Sequence, residues 1–165
     1  MSHAPAGPAW LVWLETTAVA DAMRQWLWLY PIVEMVHIGG IVLLVGAAAM
    51  FDLRLLGVSK SLPVAAMARH LLPWARVGLG VLAATGVLMF SAHATEFATN
   101  PAFRLKLVLI AVACLNAAVF HRWPFRAVGG WNVGAAAPRA ARAAAVASLT
   151  LWAGVIACGR LLAYL

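Results

Sequence analysis

Four stretches of the chain, roughly 30–56, 73–97, 102–122 and 142–164, are apolar on every face for about the 20 residues that a helix needs to cross a bilayer. Proline or glycine punctuates their ends, at Pro31, Gly57, Pro73, Pro101, Pro124, Gly129, Gly130 and Pro138. The pattern predicts an all-α integral membrane protein, a four-helix bundle forming a single domain over 1–165. The segment before the first span is different. In PAWLVWLETTAVADAMRQWLWLY apolar residues recur at helical spacing, Glu15, Asp21 and Gln25 fall between them, and Trp10, Trp13, Trp26 and Trp28 crowd the two ends. That is the pattern of an amphipathic helix lying in the membrane interface, over about 9–28. SLPVAAMARHLLPW, between the first two spans, predicts a second short amphipathic helix with Ser61 as N-cap, ending near Pro73.

Composition sharpens this reading. The chain is 65% apolar and 10% charged with a mean hydropathy of +0.92, against roughly 25% charged residues in soluble domains. The net charge of +7 is not a nucleic-acid signature, because the basic residues sit at segment ends rather than in a stripe. They report topology. With four spans, one side collects Arg54, Lys60, Arg69, Arg76, Arg122, Arg126, Arg139 and Arg142; the other holds only Arg24, Arg104, Lys106 and Arg160. The positive-inside rule makes the two basic loops cytoplasmic and places both termini on the outer, periplasmic side.

Against this apolar background the ionisable residues stand out. Glu34 and His37, in YPIVEMVHIGG, share a helix face about 9 Å into the first span, where an idle charge is costly. His93 and Glu96 repeat the spacing at the outer end of the second span, with Met35 and Met89 nearby. Lys106 and Arg160 lie at the same level and could serve acidic groups of a ligand. His70 and His121 fall at the inner border. A continuous helix would separate His70 from His93 by about 34 Å, so the histidines sort into an outer pair, His37 and His93, and an inner pair. Two imidazoles on facing helices are what a bis-histidine haem uses. Glu34 is expected to orient His37. Asp52 is expected to pair with Arg76, Arg122 or Arg126, Asn116 to hydrogen-bond between helices, and Cys114 and Cys158 to be free, buried thiols. Glycines 39, 40 and 46 and 78, 80 and 86 suit either a close helix crossing or the approach of a flat macrocycle.

The ordered motifs WLYPIVEMVHIGGIVLLVG, FDLRLLG, LLPWARVGLGVLAATGVLMF, NPAFRLKLVLIAVACLNAAVFHR and SLTLWAGVIACGRLLAYL resemble a family of small bacterial four-span proteins of unknown function, over nearly the whole chain. The resemblance implies a multi-pass protein of the bacterial inner membrane. An early histidine followed by glycines in the first span, and a lysine-led third span ending in histidine, look more distantly like CopD-type and HemJ-type membrane proteins. That likeness implies His37 as a haem or metal ligand and Lys106 as a site residue.

The function expected is therefore binding of haem b at His37 and His93, with a second haem if His70 and His121 also ligate, and electron transfer near the outer face to a redox partner protein. Copper held by His37, His93, Met35 and Met89 is the alternative chemistry, and a non-catalytic assembly subunit the alternative class. A di-metal carboxylate site would need more glutamates than the chain offers. The sequence assigns no enzymatic reaction. Its partners are the lipid bilayer, the redox protein and, as one option, further copies of the chain.

Overall fold

The computed structural model describes residues 7–162 and 164. Its helices are α1 (Ala9–Glu15), α2 (Ala18–Gln25), α3 (Leu29–Leu56), α4 (Val64–Ala92), α5 (Ala94–Thr99), α6 (Pro101–Arg122) and α7 (Arg139–Leu161), with a 3-10 helix over Pro124–Gly130 between the last two. The long helices α3, α4, α6 and α7 are each apolar and long enough to cross a membrane. Their outward faces carry large exposed apolar side chains such as Met35, Val42, Val87, Val108 and Leu115, a cost in water and a gain in lipid.

The interfacial segment is two helices rather than one. The hydroxyls of Thr16 and Thr17 donate back to the carbonyls of Trp13 and Leu14 at 2.7 Å and end α1. Thr17 then caps α2 by accepting from the Ala20 N–H, the local competition that hydroxyl side chains offer a helix. Trp10, Trp13, Trp26 and Trp28 are all exposed, as interfacial anchors should be. The charges that argued against a spanning role are used as pins. Glu15 Oε1 accepts from both the N–H and the hydroxyl of Thr95, at 2.7 and 2.8 Å, while Arg24 donates to the carbonyls of Ala92 and Glu15. Met23 of α2 is buried with Val33 and Ala92.

A second difference lies in α4, one continuous helix with Pro73 inside it. The amphipathic stretch anticipated before Pro73 is its first nine residues. Twenty-nine residues span about 43 Å, more than a hydrocarbon core of about 30 Å. One end must therefore stand in the interface, where Arg69 and His70 are exposed. Proline there leaves only the Arg69 carbonyl without its helical donor, and near the membrane border water can supply one. Pro63, not Ser61, occupies the cap position. At the other end the helix breaks at His93, and α5 turns the chain toward α6.

The bundle is built on α3 and α4. A Cβ on Gly78 would lie 2.7 Å from the Leu44 nitrogen and 2.9 Å from the Gly40 carbonyl oxygen, so only glycine permits this approach. Of the two roles open to the glycines, Gly40 and Gly78 serve the crossing. The spatial order of the spanning helices is α4, α3, α7, α6: each packs along its neighbour in that order, whereas α4 and α6 have no extended contact. Phe90 and Phe103 stack across that remaining gap at the terminal end, at 5.3 Å, and Phe97 of α5 stacks on Phe103 at 5.7 Å.

At the basic-loop end Arg54 is 2% exposed. Its Nε donates to the Leu62 carbonyl at 2.7 Å, and its Nη2 to the carbonyls of Lys60 at 3.0 Å and Asn132 at 3.2 Å. Asn132 in turn accepts from the N–H groups of Val64 and Ala65, and Gly134 donates to Lys60. One guanidinium thus ties both loops to the end of α3, over a cluster of Phe51, Leu55, Val64, Phe120 and Trp131.

Candidate functional site

His37 lies on α3 facing α4, and its Nδ1 is 2.8 Å from Thr85 Oγ1. Thr85 is buried, and its hydroxyl stands 2.6 Å from the Val81 carbonyl oxygen. A hydroxyl has one proton, and the carbonyl can only accept it. Thr85 therefore accepts from His37 Nδ1–H, and Nε2 carries the lone pair. Among the described residues no hydrogen bond engages Nε2. Gly86 stands against the ring, with the position of a Cβ 3.6 Å from His37 Cε1. Lys106, in the second turn of α6, lies with its Nζ against Gly159 of α7, 3.6 Å from where a Cβ would be. An imidazole lone pair and an ammonium thus share the terminal half of the bundle, with glycine beside each.

The other candidates are placed as follows. Glu34 is exposed and forms no ion pair with His37 among the described residues, so the expected Glu34–His37 unit does not form. Residues three apart on a helix diverge by about 60°. His37 turns inward to α4, and Glu34 faces out near the membrane border. Thr85 takes the orienting role that had been expected of Glu34. His93 caps α4, exposed, with Nδ1 3.7 Å from Glu96 Oε2 and its ring edge-on to Phe97. It stands eight residues beyond Thr85, about 12 Å along the axis, so His37 and His93 are not brought together. Met35 is 63% exposed on the outer face of α3, and Met89 packs against the Met23 cluster. Arg160 turns outward, donating to the Tyr164 hydroxyl at 2.6 Å with its guanidinium over that ring. His70 is exposed. His121 is half-buried, edge-on to Phe120 and Phe125. Among the described residues no cluster of three or more histidine, cysteine, aspartate or glutamate side chains could hold a metal ion by itself.

Two further expectations concerned packing. Asn116 donates to the Ala144 carbonyl across α6 and α7 at 2.9 Å, and both cysteines are free, as read from the sequence, but only Cys158 is buried: Cys114, on α6, is exposed. Asp52, by contrast, is 6% exposed, and among the described residues no arginine forms an ion pair with it. Arg54, two residues along and on another face of α3, is committed to the loop carbonyls.

The fold and the polar residues within it define a polytopic membrane protein with four candidate spanning helices. The chain belongs to a family of unknown function, DUF6644, whose model matches residues 10–165. No curated protein and no solved structure matches it, so the more distant likeness to CopD-type and HemJ-type proteins gains no support from these comparisons.

Proposed function

We propose that the protein binds a b-type haem in the terminal half of the bundle, with His37 Nε2 as the axial ligand, and serves electron transfer. The observation that carries this reading is the contact of His37 Nδ1 with a Thr85 hydroxyl that is already bonded to the Val81 carbonyl. A histidine held through Nδ1–H by a hydrogen-bond acceptor, with its other nitrogen unengaged in an apolar setting, is arranged as metal-ligating histidines are. Lys106 favours haem over copper. A cation in the same half of the bundle as His37 would answer the propionates that a haem carries, which a bare metal ion lacks. His93 is too far along α4 to be the second axial ligand in this arrangement, which makes it a rim residue of the site. The haem would supply one-electron chemistry; the chain supplies the ligand, its orientation and the counter-charge.

An absorption spectrum of the protein purified in mild detergent, after expression with haem precursor, tests this. A Soret band with b-type visible bands at near-stoichiometric haem is expected. Bound copper without a Soret band would replace haem by the copper reading. Neither cofactor would leave a non-catalytic subunit of a larger membrane assembly.

The charge asymmetry supports insertion in the bacterial inner membrane with both termini periplasmic and the basic loops cytoplasmic. In a background lacking Cys114 and Cys158, a cysteine at Thr99 should react with an impermeant thiol reagent in intact cells, and one at Ser61 should not. Labelling at Ser61 alone would invert the topology.

A further inference from the structure

At the basic-loop end a cavity of ≈ 200 Å³ lies among α3, α4, α6 and α7, remote from His37, Thr85 and Lys106. Its walls are largely apolar and aromatic, including Phe51, Phe120 and Trp152, and it reaches the unpacked side between α4 and α6. Its polar members are Asp52, Arg76, Asn116, His121 and Ser148. Asp52 is more than nine-tenths buried, and its Oδ2 meets no hydrogen-bond partner among the described residues. A buried carboxyl oxygen left without a partner costs free energy that a purely structural role would not explain.

The polar set selects the ligand. Asp52 offers acceptor oxygens. Asn116 has committed an N–H to Ala144 and keeps its carbonyl oxygen. Arg76 can only donate. A phosphate head would be repelled by Asp52 and a bare cation by Arg76. An uncharged hydroxyl both donates and accepts, and an aromatic ring suits the flanking phenylalanines and tryptophan. We propose that this cavity binds a lipophilic hydroquinone, reached from the lipid, with a ring hydroxyl donating to the Asp52 carboxylate.

The test uses the full chain in phosphatidylcholine nanodiscs, a short-tailed azido-hydroquinone as photoprobe, and the same hydroquinone without the azide as competitor. Saturable, competable labelling is expected on peptides of α4 and α6 bordering the cavity. Asp52→Asn should weaken competition about tenfold or more, the value of a charge-assisted hydrogen bond, while the variant unfolds at the same or a higher temperature. Ala117→Leu fills the cavity from the α6 wall without touching Asp52 and should abolish labelling. Its monodispersity in detergent reports that the bundle is intact. The proposal is overturned by labelling that does not saturate, by unchanged competition in either variant, or by displacement with phosphatidylethanolamine but not with the hydroquinone. It is also overturned if Asp52→Asn lowers the unfolding temperature markedly, because Asp52 is then a packing residue. If Asp52→Asn cannot be purified folded, Ala117→Leu and Ser148→Ala decide on the same criteria.

Discussion

If His37 is the haem ligand proposed above, replacing it by alanine should remove the Soret band entirely while leaving a folded, monodisperse protein, because among the described residues the imidazole's one hydrogen bond is to Thr85. The companion substitution is more informative. Thr85→Val keeps the shape but removes the acceptor that holds Nδ1–H. An imidazole whose N–H is accepted is the stronger base and favours oxidised iron. Losing that acceptor should therefore raise the reduction potential, by about 20–60 mV if a net hydrogen bond of about 0.5–1.5 kcal/mol is expressed in a one-electron couple. Glu34→Gln should change neither occupancy nor potential, since Glu34 faces away. The ligand assignment fails if His37→Ala retains its full Soret band. If Thr85→Val leaves the potential unmoved or lowers it, the threonine does not orient the ligand.

The largest effect on stability should come from Arg54. Arg54→Ala strips a donor from the carbonyls of Lys60, Leu62 and Asn132 at once; Lys60 and Asn132 keep the N–H groups of Gly134 and Val64, whereas Leu62 loses its partner and the packing of a fully buried side chain goes with it. A loss of about 3 kcal/mol is expected, measured by unfolding of the detergent-solubilised protein. It should be accompanied by faster amide exchange at Val64 and Gly134, whose N–H groups close the same network. Arg54→Lys should recover only part of the loss, because one ammonium cannot reproduce the fork that reaches three carbonyls. A change below about 0.5 kcal/mol in the alanine variant would mean that the loops are held by the Phe51 and Trp131 cluster alone.

The spanning helices were legible because length and apolarity determine them almost without reference to neighbours, and the tryptophan-rich segment was legible for the same reason. What escaped depended on context. Pro73 reads as a terminator, yet it lies near a hydrated border where the freed carbonyl is not orphaned, so α4 runs through it. Thr16 and Thr17 read as ordinary helix residues until their hydroxyls compete with the backbone. At the candidate site His37 was found because an imidazole in a span is conspicuous. Thr85 was missed because a threonine inside a span normally satisfies its hydroxyl on its own helix, as this one also does; only the approach of α3 turns it into an acceptor for a neighbour. Arg54 was legible as a charge closing the first span, but not as the tie between both loops, and none of the arginines expected for Asp52 forms an ion pair with it among the described residues. Depth and face are written in the spacing of residues, whereas the choice among several partners of like charge is made by the crossing of helices.

The order α4, α3, α7, α6 makes the molecule a book rather than a tube. Its spine is the glycine-tight meeting of α3 with α4 and the packing of α7 on α3, and its fore-edge is clasped near the terminal end by Phe90, Phe97 and Phe103. Each ring pair is worth about 0.5–1.5 kcal/mol beyond the area it covers. Parting the rings breaks no backbone hydrogen bond, so lipid tails can replace those contacts at small cost. The covers can swing while every helix stays whole. A ligand of the proposed cavity would then enter sideways, from the bilayer, between α4 and α6.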